Sequence, residues 1–379
     1  DSYSTLPVKV RNGVPDGVRL TGAPLMWETG IDGRGVPVAT LDTGVNAKHP
    51  DLQLTTDGRP KILSFRDYIS GGGQLQPGSA AYDDHGHGTH VAGTIAANGK
   101  IRGVAPGAQL RVYKVLGKDG SGFYDHITRA IYDAIRDGCR VISMSLGTSE
   151  RVLAWRDAMQ AAIDAQRAVI CSAGNSGPGS IRYPAYEEQP ITVGALGYDV
   201  ATGRITVTWF STQNDQVDVA AHGEGVISTS AAGGYEELSG TSMAQPHVAG
   251  KAALLIQAGD LALGEPMSEQ AIWHGIKTRG LPLPGAARAA VGAGIATFYP
   301  VLPRSRVVRL TIGRKERVVD GQAETIDVAP MTVVVDDQGG RRTLTPPRHT
   351  HEPRGDQVGW DEPTQTVTLS RTYLPGMEV

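Results

Sequence analysis

From about residue 36 the chain alternates short apolar runs with longer amphipathic segments. The runs at 38–41, 110–116, 141–146, 168–171 and 191–193 are aliphatic and bounded by Gly, Pro or Asp, as are strands buried on both faces of a parallel sheet. Between them, Ile127, Ala130, Ile131, Ala134 and Ile135 recur at helical spacing, and Gly138 stands where a C-terminal cap belongs. Val152, Trp155, Met159, Ala162 and Ile163 line a second helix in the same way. Strands separated by helices predict βαβ units, hence an α/β fold in which a parallel sheet is flanked by helices.

The texture changes near residue 300. Pro300 and Pro303 are followed by Val308, Leu310 and Ile312 in strict alternation, then by Asp320-Gly321, an apolar run at 333–335, Gly339-Gly340 and a further run at 367–369. Alternation broken by turn dipeptides predicts antiparallel strands and hairpins. The chain therefore reads as an N-terminal extension over 1–20, an α/β domain over 21–301 and a small mainly-β C-terminal domain over 302–379.

Composition narrows the function. The 379 residues carry 36 basic and 39 acidic side chains, a formal charge of −3, with no block of like charge, so no nucleic-acid partner is expected. No apolar stretch reaches the roughly 18 residues that span a bilayer, and no membrane insertion is expected. The chain starts at Asp1 without a charged and apolar leader, the form of a cytosolic protein or of a mature one whose leader has been removed. Cys139 precedes the strand at 141–146 and Cys171 lies near the end of the next, which puts the sulfurs toward opposite ends and predicts two free thiols.

Three segments concentrate reactive side chains: Leu41-Asp42-Thr43-Gly44-Val45, His87-Gly88-Thr89-His90-Val91-Ala92-Gly93 and Gly240-Thr241-Ser242-Met243-Ala244-Gln245-Pro246-His247. A hydroxyl needs a base to remove its proton as it attacks a carbonyl, imidazole can take and return that proton near neutrality, and a carboxylate fixes the imidazole tautomer. Taken singly, the three residues have plainer readings as turn former, loop histidine and helix cap. Together, in these motifs and this order, they resemble the subtilisin (subtilase) family of serine proteases over about residues 14–300.

That resemblance implies a serine endopeptidase acting on polypeptide substrates through an acyl-enzyme on Ser242, with His87 as general base and acid and Asp42 orienting it. The segment Ser172-Ala173-Gly174-Asn175-Ser176-Gly177 is similar to the one whose Asn side chain donates to the oxyanion, which assigns that role to Asn175. The Ser242 N–H, near a helix start, is the second donor implied. His90 and His247 match structural histidines of the family. The same resemblance sets an extended substrate between Ser145-Leu146-Gly147 and Gly120-Ser121-Gly122, held by added-strand hydrogen bonds, with broad specificity. It carries Arg182 to the floor of the pocket for the side chain preceding the cut, where a cation would favour acidic groups.

Asp51 resembles a family calcium ligand, which makes structural calcium an expected cofactor. The neighbouring Asn98-Gly99-Lys100-Ile101-Arg102-Gly103 is nevertheless shorter than the usual ligand loop and carries two cations, a poor supplier of the roughly six to eight oxygens that calcium takes.

The two ends point to different compartments. Residues 4–20 resemble the N-terminal extension of intracellular subtilisins, which lies over the active site before removal; an arm packed on the domain is the plainer alternative. Stretches of 306–371, among them Leu310-Thr311-Ile312-Gly313, Val319-Asp320-Gly321 and Arg342-Thr343-Leu344-Thr345-Pro346, resemble the small non-catalytic domain named after the N-terminal part of copper amine oxidases. That domain is an appendage of secreted proteins, so export with cell-surface attachment is expected over a cytoplasmic location. Two other functions compete with proteolysis. A non-proteolytic protein on the same fold would show damage to Asp42, His87, Ser242 or Asn175, and none is seen. An α/β-hydrolase esterase would carry its serine in Gly-x-Ser-x-Gly ahead of the acid and the histidine, whereas Ser242 comes last.

Overall fold

The computed structural model describes residues 9–199, 204–277 and 280–298, and beyond these the backbone of strands between 306 and 371. The chain divides into two compact units, Asp1–Tyr299 and Pro300–Val379.

The first unit opens with a hairpin of β1 (Val10–Arg11) and β2 (Val14–Pro15) and two short helices, α1 (Asp16–Leu20) and α2 (Ala23–Glu28). There follow β3 (Pro37–Asp42), β4 (Ile62–Asp67), β5 (Leu75–Pro77), α3 (His87–Ala96), β6 (Gln109–Lys114), α4 (Tyr124–Arg136), β7 (Val141–Met144), α5 (Leu153–Asp164) and β8 (Ala168–Ser172). The unit continues with β9 (Ile191–Asp199), β10 (Arg204–Val207), β11 (Val219–His222), β12 (Val226–Thr229), β13 (Tyr235–Leu238), α6 (Thr241–Leu263), α7 (Glu269–Lys277) and α8 (Arg288–Val291). The main sheet has the order β10-β9-β8-β7-β3-β6-β4-β5, with β11 also beside β9. The strands from β9 to β4 along this order, and β11, run parallel.

The expectation of a wholly parallel sheet is corrected at both ends, where β5 and β10 run antiparallel to β4 and β9. Each returns through a short connection, and a connection too short to hold a crossover can only reverse the chain. The sheet is therefore mixed, and it is flanked by helices.

Alternation along the strands sorts their side chains between two cores. Val38, Val141 and Ile170 belong to the core beneath α3 and α6, whereas Ala39, Leu41, Ile142, Met144 and Cys171 belong to the core beneath α4 and α5. Asp42 shares the parity of Val38, which puts it on the α3 and α6 side. Helix α4 ends as its sequence predicts: Gly138 at φ +79 lets the Gly138 and Cys139 N–H groups close on the carbonyls of Ile135 and Ala134, at 3.1 and 3.0 Å. Cys139 and Cys171 are buried and unpaired.

In the second unit, Glu316–Val319, Arg306–Thr311, Thr366–Arg371 and Gln357–Asp361 form an antiparallel array extended by Gln322–Thr325, and Thr332–Val334 pairs with Thr343–Thr345. The expected turns at Asp320-Gly321 and Gly339-Gly340, residues 346–356 and the first eight residues of the N-terminal extension lie outside the described residues.

Candidate active site

Asp42 closes β3 and His87 opens α3. Asp42 Oδ1 accepts from His87 Nδ1 at 2.7 Å and from the Thr43 N–H at 2.7 Å. A carboxylate only accepts, so the shared proton lies on Nδ1 and the neutral ring keeps a lone pair at Nε2. The Asp42 side chain is 2 % exposed and that of His87 21 %. Burial pulls the His87 pKa down, but the Asp42 charge, its hydrogen bond and the Asp83 charge outweigh it, and the imidazole stands above its ordinary value.

Ser242 lies in the first turn of α6, a helix containing Pro246. Proline has no N–H, so the carbonyl four residues earlier, that of Ser242, loses its helical partner. The Ser145 hydroxyl replaces it, donating to Ser242 O at 3.0 Å, and Ser242 Oγ donates in turn to Ser145 O at 3.3 Å. Gln245, one turn on, accepts from the Ser143 hydroxyl, shares the single Ser145 hydroxyl proton with Ser242 O, and donates to Ile170 O, which ties the helix to β7 and β8. Helices α3 and α6 pack on each other: a Cβ on Gly250 would lie 3.3 Å from Ile95 O, and eight residues back along each helix stand Ser242 and His87.

Asn175 follows β8 and is exposed. Its Oδ1 accepts from the Thr241 N–H at 2.8 Å and from Thr241 Oγ1 at 3.0 Å. Because an N–H must point at an oxygen, this fixes the amide and turns Nδ2 away from Thr241. A Cβ on Gly240 would lie 3.4 Å from Asn175 Nδ2 and 3.7 Å from the Ser242 nitrogen, so two donors border one space. Neither has an acceptor among the described residues. An anion formed beside Ser242 would find both.

The Subtilase family profile matches residues 33–294. The chain belongs to the subtilase family. It is 40 % identical over 305 residues to the "Intracellular serine protease" of Paenibacillus polymyxa, covering 78 % of this chain and 89 % of that one. It is 38 % identical over 292 residues to the "Major intracellular serine protease" of Bacillus subtilis, covering 75 % and 87 %. To "Subtilisin Savinase" of Lederbergia lenta it is 40 % identical over 248 residues, covering 64 % and 84 %. This subtilase is a serine endopeptidase of the subtilisin type.

Around its centre, the expected substrate segments are open in part: the Gly120 N–H donates to Gly117 O and Ser121 O accepts from the Gly117 N–H, at 2.9 and 2.8 Å. The N–H and C=O groups of Leu146, Gly147 and Gly122 enter no hydrogen bond among the described residues, and the hydroxyls of Tyr124, which opens α4, and Thr148 meet at 3.1 Å. Gly120 takes φ +75, and the Ser121 N–H is held by Asp119 at 3.1 Å. Arg182 donates through Nε and Nη2 to Ser176 Oγ, at 2.9 and 2.7 Å, and its stem lies against Gly174.

The surroundings of Asp51 do not fit a calcium ion. This carboxylate is 2 % exposed; Oδ1 accepts from the Lys100 N–H at 3.0 Å, and Oδ2 from the Ile101 N–H at 2.9 Å and the Tyr235 hydroxyl at 2.7 Å. A Cβ on Gly99 would lie 2.0 Å from Oδ1, so the short loop fits only by closing onto the acid. Among the described residues no group of three or more His, Cys, Asp or Glu is arranged to hold a metal, and no helix is long and apolar enough to cross a membrane. His90 and His247 are buried, bonded to Val226 O and Met243 O, with burial pushing them down to about 4 and about 3.

Thr241 and Gln245 were invisible to motif reading as positioning groups. Their signal was only adjacency to Ser242, because their partners, at 143, 145, 170 and 175, come from other strands.

Proposed function

We propose that Ser242 is the nucleophile, His87 the general base and acid, Asp42 its orienting anion, and Asn175 with the Ser242 N–H the oxyanion donors. The observation that carries this reading is the 2.7 Å Asp42–His87 bond together with the two donors bordering one space beside Ser242. Ser242 Oγ turns from Ser145 O toward His87 Nε2, loses its proton to it and bonds to the scissile carbonyl carbon. The carbonyl oxygen takes the negative charge and accepts from Asn175 Nδ2 and the Ser242 N–H, where the α6 terminus also favours an anion. His87 passes its proton to the leaving nitrogen as the C–N bond breaks. Water then repeats the sequence on the acyl-enzyme and frees Ser242.

Substrate is an extended polypeptide lying between Ser145-Leu146-Gly147 and Gly120-Ser121-Gly122 and pairing with the open backbone of Leu146, Gly147 and Gly122, with specificity broad in most positions. Arg182, anchored on Ser176 beside Asn175, supports a preference for an acidic side chain before the cut. Digestion of a peptide library tests both: cleavage after Glu falls in Arg182→Gly, and equal cleavage in the two proteins removes the preference. Labelling by a fluorophosphonate tests the nucleophile. The probe modifies Ser242 in the native enzyme and leaves Ser242→Ala untouched; an unlabelled native enzyme overturns the assignment.

The reading divides the chain into an extension over 1–20, the catalytic domain over 21–301 and a small β-rich module over 302–379, of the kind named after copper amine oxidases. Two relatives named as intracellular proteases support a cytoplasmic location over export, with the module stabilising the chain instead of attaching it to a surface. Calcium is not assigned to Asp51.

A further inference from the structure

Asp83 takes no part in the chemistry above, yet both its oxygens are fully engaged. Oδ1 accepts from Thr43 Oγ1 at 2.9 Å and from the His85 and Gly86 N–H groups at 3.1 and 2.9 Å. Oδ2 accepts from the Thr89 N–H at 2.9 Å and from Thr89 Oγ1 at 2.6 Å. Each threonine, its proton given to Asp83, accepts from the opposite segment: the Gly88 N–H donates to Thr43 Oγ1 at 2.9 Å, and the Asn46 N–H to Thr89 Oγ1 at 3.0 Å. The loop leaving Asp42 and the first turn of the helix carrying His87 are therefore laced through one carboxylate. The fit is close. A Cβ on Gly88 would lie 2.1 Å from Gly44 O and 3.1 Å from Asp42 Oδ1.

The polarity of this lacing requires an anion. Every neighbour points a proton at Asp83, so an amide in its place would oppose a donor to a donor. Burial pushes the Asp83 pKa up, but the bonds from Gly86, Thr89 and His85 outweigh it and hold the carboxyl below its usual range. Among the described residues, the titratable groups around His87 are Asp42, bonded to it, Asp83, whose charge acts on the imidazole, the His85 ring, whose centroid is 6.3 Å away, and the buried His90 three residues on; Asp84 is paired with Lys114 Nζ at 2.5 Å.

We propose that Asp83 is a positioning residue for the proton transfer, fixing the start of α3 on the loop after Asp42 and adding its charge to the field that favours imidazolium at His87. The proposal rests on the triad reading, and the two fail separately. In Asp83→Asn, kcat falls on the order of 10- to 100-fold with KM nearly unchanged, since misplacement of reacting groups acts on the barrier. The acid limb of kcat/KM moves to lower pH by about half a unit, because an anion near the imidazole has gone. Thr43→Val and Thr89→Val lower kcat without moving that limb. Fluorophosphonate labelling of Ser242, counted per folded molecule, slows in Asp83→Asn by the same factor as kcat. If Ser242 still labels at the native rate and the acid limb stays in place, Asp83 has no such role, whereas absence of labelling in the native enzyme strikes the triad instead.

Discussion

Asp42 and Asp51 stand nine residues apart, both almost fully buried, and are completed in opposite ways. Both oxygens of Asp51 accept hydrogen bonds, from the Lys100 and Ile101 N–H groups and the Tyr235 hydroxyl. Asp42 engages Oδ1 alone, while its Oδ2 is buried without a partner. Beside Gly240, the Asn175 amide and the Ser242 N–H also lack acceptors among the described residues. A closed carboxylate fastens chain to chain; one left incomplete keeps its field and its neighbours available to a visitor. Asp42 Oδ2 is costly where it stands, buried without a partner, whereas the exposed Asn175 amide waits at little cost for the charge that completes it.

The largest break in this contrast comes from removing an open donor. Asn175→Ala should lower kcat on the order of 100- to 1,000-fold with little change in KM, because Nδ2 gains its acceptor only as charge reaches the carbonyl oxygen. Stability should also fall, by about 1–3 kcal/mol, because the buried Thr241 N–H and hydroxyl lose Asn175 Oδ1. Steady-state kinetics beside a thermal scan checks both, and a melting loss with intact kcat would make Asn175 a structural residue like Asp51.

A smaller effect separates the two regions by pH. His87 is raised above the ordinary imidazole value of about 6.5, and its neutral form is the base, so the acid limb of kcat/KM should lie above that value. The linked stability has the opposite sense. A raised pKa stabilises the fold below the unfolded value and loses that contribution as pH rises through the folded one. His87→Ala should therefore cost more stability at pH 5 than at pH 9, while Tyr235→Phe should cost the same at both. Denaturant melts at the two pH values decide it.

Much of this was legible in the chain. Strands β3, β6, β7 and β8 are buried on both faces and hence read as aliphatic runs, and the α4 stripe and its Gly138 cap follow from helical spacing. The edges were not. Leu75-Gln76-Pro77 is short and largely exposed, and carries no period to detect. Motifs pointed to Asp42, His87, Ser242 and Asn175, but not to what surrounds them. Asp83 stands outside those motifs, and its place emerges only where the Thr43 and Thr89 hydroxyls converge on it. The closure of Asp51 was hidden because two of its donors are main-chain groups and the third, Tyr235, lies 184 residues away.

The finest test of the contrast expects no effect at all. A cation resident at Asp51 with micromolar affinity would, at millimolar concentration, stabilise the fold by about 4 kcal/mol. Removing Asp51 would then erase that gain. With the site closed by protein donors, Asp51→Asn should instead destabilise by about 1–3 kcal/mol through unsatisfied partners, equally in calcium and in chelator. The double comparison, native and Asp51→Asn, each melted with calcium and with EGTA, isolates the coupling even if calcium acts elsewhere on the chain. Zero coupling, with Tyr235→Phe reproducing part of the loss in both buffers, keeps Asp51 on the closed side. A calcium-dependent difference between the two proteins would move it to the open side, among the groups that wait for a partner.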